Sequence, residues 1–288
     1  MYENNYYSAN EKTGKLKIFI SCLWILLAVC LVAGGIFTYS YIKGLEKDNS
    51  VKSDSSKATD KNVNVLVCVV DEDNEEIAPQ FLLINFDFDV STISVTEMPT
   101  NVKLTGAEKA DTAQKLFDYG SARYVRDAVV NNYGIKVQRF LKCSMTEVEQ
   151  FVDSLGGIDY NIPQKMQQEN ADGNLVTNLV KGKQKLNGNQ YCQYLRFDWG
   201  NAEKTADKRE DLLVSLLNEY CPILDSENIL KIYKKVANNI ETDISIVEMN
   251  DFSLKFEKFT KVENPATKTD IDFKDKDVTK VKLEKFYN

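Results

Sequence analysis

Short apolar runs and longer stretches of helical spacing alternate along most of this chain. Asn64–Val70 (NVLVCVV) is almost wholly apolar, the pattern of a strand buried on both faces. Phe81–Phe86 and Thr92–Thr96 predict two more strands, turned through Asp87–Ser91 into a hairpin that ends at Met98-Pro99. From Ser121, a candidate cap, Val125, Ala128 and Val129 recur at helical spacing until Gly134. Val137–Cys143 reads as strand and leads into Ser144-Met145-Thr146-Glu147, a capping box in which serine and glutamate satisfy helix-terminal N–H groups reciprocally. The helix it opens is expected to bury Val148, Phe151, Val152 and Leu155 and to stop at Gly156-Gly157, before a strand over Ile158–Ile162.

Gln164–Asn178 is polar and reads as a long loop, and Gln190–Phe197 reads as strand. Leu212, Leu213, Leu216, Leu217 and Tyr220 mark one face of a helix, and Ser245–Glu248 is a second capping box, before Met249, Phe252 and Phe256. Strands and helices alternating in this way predict an α/β layered domain, and the hairpin makes its central sheet mixed.

Ile18–Ile42 breaks the pattern: it contains no charge at all. As a helix at ~1.5 Å per residue it spans roughly 37 Å, enough to cross a bilayer core, and it is longer than the apolar core of a cleavable signal peptide. Lys12, Lys15 and Lys17 precede it, which favours a cytoplasmic N-terminus and an exterior C-terminal domain. The expected organisation is a cytoplasmic tail over 1–17, a membrane anchor over 18–42, a Ser/Lys/Asp-rich linker over 43–61, an extracellular domain over 62–262 and a C-terminal extension over 263–288.

Composition then removes whole classes of chemistry. The 288 residues include no histidine, which excludes His-based acid–base catalysis, Ser-His-Asp and Cys-His nucleophiles, and His-ligated metals. Cys68, Cys143, Cys192 and Cys221 lack any CxxC spacing and read as buried thiols. The net charge is −7 although residues 1–43 are lysine-rich, so the exterior part is acidic and unsuited to nucleic acid. The stretch Glu72, Asp73, Glu75 and Glu76 is acidic but lacks the EF-hand spacing for calcium.

Several segments in this order resemble the LytR-CpsA-Psr family of membrane-anchored envelope proteins, found mostly in Gram-positive bacteria. They are the N-terminal anchor, a strand ending at Asp71, the hairpin ending at Met98-Pro99, FVDSLGGIDYNIP, GKQKLNGNQYCQYLRF and a late NIETDIS. The resemblance implies a single α/β/α sandwich with a mixed central sheet and an apolar pocket for a polyprenyl chain. It also implies transfer of a glycopolymer from a polyprenyl-pyrophosphate carrier to peptidoglycan, with arginines and Mg2+ holding the pyrophosphate.

Carried over residue by residue, Arg196, Arg209 and Asp71 fall at catalytic positions, Arg196, Arg209 and Lys208 at substrate-binding positions, and Asp71 at the metal position. Elsewhere the pattern is broken. Asp73 stands where a G-x-D-x-R motif has its arginine, and Ile77-Ala78-Pro79 replaces R-x-D. Met98-Pro99-Thr100-Asn101 replaces I-P-R-D, Asp198 replaces the second arginine of Y-x-R-x-R, and Ala206 and Glu210 replace the first arginine and the glutamine of R-x-x-R-Q. An acid in place of an arginine turns attraction for a dianion into repulsion, so a weak or inactive transferase is expected. Two other readings stay open: an active transferase with a rearranged set of cations including Lys204 and Lys208, and a non-catalytic envelope module using the fold as scaffold. Arg196 and Arg209 have a structural alternative too, as ion pairs with Asp198, Glu210 or Asp71.

Overall fold

The computed structural model describes residues 61–72, 78–107, 110–169 and 173–288; the expected anchor, its tail and the linker up to residue 60, and Asp73, lie outside the described residues. Strand β1 (Asn62–Val70) pairs antiparallel with β2 (Gln80–Asp87), which pairs antiparallel with β3 (Thr92–Met98). A small hairpin, β4 (Lys103–Ala107) and β5 (Ala110–Thr112), leads into helix α1 (Ala113–Tyr133). Strand β6 (Arg139–Ser144) returns parallel to β1, and helix α2 (Met145–Leu155) follows. Next come β7 (Ile158–Ile162), β8 (Met166–Glu169), β9 (Leu175–Leu179) and β10 (Gly182–Leu186), then helices α3 (Gly188–Arg196), α4 (Ala202–Tyr220) and α5 (Ser226–Val236). The chain closes with β11 (Glu241–Thr242), α6 (Ile246–Phe256), β12 (Ala266–Lys268) and α7 (Lys276–Tyr287).

The main sheet has the order β11-β6-β1-β2-β3-β12 and is mixed, as the hairpin requires. Strand alternation sends side chains to two cores. Leu66, Cys68, Phe81, Leu83 and Met98 face α1 and α7, whose Val125, Val129, Leu283 and Tyr287 complete that side. Leu82, Ile84, Ile93 and Val95 face the other way, toward Phe256 of α6 and Ile229 of α5. Val69 lies on this second side as well, in a cluster with α2, α3 and α4.

The segment after Val262 is built into the domain, which runs as one compact unit from Asp60 to Asn288. Strand β12 adds an edge parallel to β3, and Tyr287, fully buried, joins the core of the first face. Its hydroxyl donates to the Leu83 carbonyl at 2.8 Å and lies 2.7 Å from the Thr96 hydroxyl. A boundary at 262 would remove a sheet edge and this buried anchor.

Three local readings change. The stretch read as strand is helix up to Arg196, with Phe197 extended at its C-cap: Asn187 accepts from Gln190 N–H, the Gln190 side chain bonds back in a capping box, and Tyr191, Cys192, Tyr194 and Leu195 are buried at helical spacing. The cap and the 3.6-residue period override the strand preference of Tyr and Cys. The polar stretch 164–178 holds β8 and the start of β9, a hairpin whose Met166, Thr177 and Leu179 are buried. Helix α1 starts earlier, at Ala113 under a Thr112 cap, and breaks at Gly120-Ser121, so the segment with Val125, Ala128 and Val129 does begin at Ser121 as expected, but the Ser121 hydroxyl donates to Glu241.

Gly156 ends α2 in the left-handed region, as expected, with φ 92°. Gly188 serves close packing: a Cβ there would lie 2.1 Å from the Glu149 carbonyl oxygen, so only glycine lets α3 seat against α2. This contact fixes the helix that carries Arg196.

Candidate functional site

The second face of the sheet is not filled by its helices. Between the sheet and α2, α4, α5 and α6 lies an apolar cavity of about 350 Å³, within the range of ligand pockets. Val67, Val69, Leu82 and Ile84 form its floor, and Val148, Phe151 and Leu155 of α2 form one wall. Those three α2 side chains are partly buried, and Val152, which also lines this space, is fully buried. On α4 the lining residues Arg209, Leu213, Leu216 and Tyr220 recur along one helical stripe. Gln80 and Glu147 are also part of the wall.

Asp71 lies two residues beyond Val69, and its side chain is fully buried. Arg196, at the last turn of α3, grips it with both edges of its fork: Nε donates to Oδ2 at 2.5 Å and Nη2 donates to Oδ1 at 3.0 Å. A bidentate guanidinium–carboxylate pair of this kind is among the stronger charge-assisted contacts. Arg209 reaches the same neighbourhood from α4, and its Nε donates to the carbonyl of Leu195, the residue before Arg196, at 2.8 Å. Its Nη1 donates to Glu97 Oε1 at 3.1 Å, with side-chain exposures of 14% for the arginine and 7% for the glutamate.

Glu97 was not among the expected partners. It continues the inward face of β3 after Ile93 and Val95, in register with Leu82 of β2, so the period-two alternation signals it once the strand is extended to Met98. Burial pushes its carboxyl up, and the Arg209 guanidinium pulls it back. The Glu97 amide donates to Glu210 Oε1 at 2.5 Å, and burial raises Glu210 to about 8. Glu210 therefore holds its proton through much of the neutral range. Each motif arginine thus already faces a carboxylate, Arg196 on Asp71 and Arg209, on the cavity wall, on Glu97.

Lys208 is held elsewhere, 3.1 Å from both Asp207 and Asp211 in a cluster completed by Lys268 of β12. One residue away from Arg209 on the helix, it does not line the cavity. Asp198 is exposed and shapes a turn, its Oδ1 accepting from Gly200 N–H at 2.8 Å. Both oxygens of Asp71 accept from Arg196, and among the described residues no three Cys, Asp or Glu side chains converge as metal ligands. Cys68, Cys143, Cys192 and Cys221 are all free thiols, and burial raises Cys143, Cys192 and Cys221 to about 12, far from nucleophilic thiolate.

A mixed-sheet α/β domain with a helix-walled apolar cavity, Arg209 on its wall and Arg196 bonded nearby to Asp71, defines the class. The chain belongs to the LytR_cpsA_psr family, whose sequence profile matches residues 35–282. It is 24% identical over 264 residues to the polyisoprenyl-teichoic acid–peptidoglycan teichoic acid transferase TagU of Bacillus subtilis (strain 168), covering 84% of this chain and 83% of that protein. Among solved structures, B. subtilis TagV matches with a TM-score of 0.60 at 16% identity, covering 75% of this chain and 87% of TagV. TagT bound to LIIa-WTA matches at 0.55 and 15% identity, covering 73% and 78%. At these identities the structural likeness establishes the fold.

Proposed function

We propose that this protein is a membrane-anchored, extracellular envelope protein that takes a polyprenyl chain into its apolar cavity and has weak or no glycopolymer phosphotransferase activity. The observation that carries the reading is the pairing of cavity and charge. The wall is apolar and spacious enough for a chain, while Arg196 and Arg209, the guanidinium groups at the expected pyrophosphate site, are each neutralised by a carboxylate. A pyrophosphate needs clustered, uncompensated cations to take up developing charge, and that condition is poorly met here. The relatives' names supply the ligand class: TagU is named a polyisoprenyl-teichoic acid–peptidoglycan teichoic acid transferase, and TagT is seen bound to LIIa-WTA. The uncharged run Ile18–Ile42, preceded by lysines, supports the anchor and its orientation.

The test uses the full chain in detergent or vesicles, with a polyprenyl-pyrophosphate-linked glycopolymer, peptidoglycan and Mg2+. The expected result is saturable lipid binding with transfer no faster than the protein-free blank, and equal binding with or without magnesium. Rapid, magnesium-dependent transfer that is lost in Arg209→Met with Glu97→Leu, the fold being retained, would establish instead an active enzyme with a rearranged cation set.

A further inference from the structure

Helix α1 breaks at Gly120 and Ser121, and Ser121 takes φ 66° and ψ −170°, a region that residues with a side chain rarely enter. The break is held from across the fold: the Ser121 hydroxyl donates to the Glu241 carboxylate at 3.0 Å, and Lys142 lies 3.5 Å from the same group. Its consequence lies on the surface. Residues five apart on an unbroken helix point about 140° away from each other. Here Tyr119 and Tyr124 meet edge to face instead, with ring centroids 5.3 Å apart and planes at 72°. They stay 64% and 41% exposed, and neither hydroxyl has a hydrogen-bond partner among the described residues.

Arg123 stands beside them. In the segment after the break Ala122, Val125, Ala128 and Val129 face the core, so Arg123, Tyr124 and Asp127 share the exposed side. Of the chain's five arginines, Arg126 pairs with Asp243, Arg139 with Glu248, Arg196 with Asp71 and Arg209 with Glu97. Arg123 alone, among the described residues, has no carboxylate partner. Asp127, one turn on, is taken by Arg126, and Asp118 accepts from Gln114. None of Tyr119, Arg123 and Tyr124 lines the apolar cavity, and α1 packs on the opposite face of the sheet.

Rigid tyrosine rings beside an arginine are a favoured recognition pairing, because they offer apolar contact, hydroxyl groups and an anion-binding fork at little entropic cost. Sugar rings match all three: their C–H faces stack on the aromatic rings and their hydroxyls meet those of the tyrosines. Charge selects among the sugars. Arg123, Arg126 and Lys142 are outnumbered by Asp118, Asp127, Asp243 and Glu241, so a polymer with a phosphate on every unit would be repelled. A strand of mostly uncharged rings with an occasional carboxylate would need only the one open guanidinium.

We propose that Tyr119, Arg123 and Tyr124 form a binding patch for a largely uncharged polysaccharide with sparse carboxylates, the chemistry of a peptidoglycan strand. This assignment rests on the reading that the domain faces the cell exterior, and it gives the domain a second contact surface, separate from the cavity. No covalent step is involved.

The experiment sediments the full chain in detergent with peptidoglycan stripped of its attached polymers, with soluble poly(glycerol phosphate) as competitor. The wild type is expected to co-sediment saturably and to resist the competitor. Tyr119→Ala with Tyr124→Ala should weaken sedimentation by about tenfold or more, and Arg123→Gln by about threefold, with unchanged urea midpoints. If the double variant loses its fold, Arg123→Gln, which breaks no ion pair within the protein, decides alone. Gly120→Ala keeps both tyrosines but places a Cβ 2.1 Å from Cδ2 of Tyr124, so it should displace that ring and weaken binding as well. No sedimentation of the wild type, equal sedimentation of the folded variants, or displacement by poly(glycerol phosphate) would each overturn the assignment. Orientation is read separately, by adding protease to intact cells: protection of the domain would remove the exterior reading, whereas the sedimentation results alone decide the patch.

Discussion

Removing Arg209 tests how far the site's electrostatics have been turned inward. In Arg209→Met the Glu97 carboxylate, 7% exposed, loses its 3.1 Å partner, and its other oxygen already has none. The buried carboxylate then either stays charged, at a cost of about 3–5 kcal/mol for a broken buried pair, or takes up a proton. Protonating a glutamate of ordinary pKa at pH 7 costs about 3.4 kcal/mol, so protonation sets the ceiling. Losing the bond to the Leu195 carbonyl adds about 1 kcal/mol. The expected loss is therefore roughly 4 kcal/mol at pH 7, shrinking to about 1–2 kcal/mol at pH 5, where the proton is nearly free. Urea unfolding followed by circular dichroism should show the midpoint falling by about 1 M or more at pH 7. Arg209→Met with Glu97→Leu removes both charges and should return to within about 1 kcal/mol of wild type. A single variant that loses under about 1 kcal/mol at both pH values, or a double variant as unstable as the sum of the singles, would refute the buried pair.

Three other outcomes follow from the same structure. Because burial raises Glu210 to about 8, the folded state keeps a proton that the unfolded chain releases near its ordinary value, so stability should fall as pH rises between about 4.5 and 8. The chain has no histidine to titrate in that window, and thermal melts of Glu210→Gln should show a flatter fall. Tyr287→Phe removes the hydroxyl that bonds the Leu83 carbonyl and Thr96, and should cost about 1–3 kcal/mol by urea unfolding. Gly188→Ala places a Cβ 2.1 Å from the Glu149 carbonyl oxygen and should cost more than about 2 kcal/mol in the same assay, because backbone must move; an unchanged midpoint would show that α3 does not seat as described.

The sequence made the layered architecture legible because its signals there are local. Capping boxes at Ser144 and Ser245, the apolar run of β1 and the hairpin before Met98 all need only near neighbours to be read. Gln190–Phe197 misled because Tyr and Cys favour strands, while the deciding Asn187–Gln190 cap lies just outside the apolar stretch. The Arg196–Asp71 pair was among the anticipated alternatives, since both ends were motif positions. Glu97 was not, because its partner comes from 112 positions away and only the extension of β3 to Met98 turns it inward. The role of residues 263–288 was hidden for the same reason: Tyr287 is anchored by contacts with β2 and β3, which no local pattern reports.

The central claim is that binding comes from the apolar cavity rather than from its arginines. The most direct measurement is a titration of polyprenyl pyrophosphate into the wild type, Val148→Trp, which fills the cavity from α2, and Arg209→Met with Glu97→Leu, which removes a cavity-wall arginine without stranding its buried carboxylate, at low and high salt. Val148→Trp should weaken binding by at least tenfold with its fold intact, the arginine variant should change it by less than about threefold, and salt should have little effect. Binding that survives Val148→Trp but disappears with the arginine or with salt would contradict it.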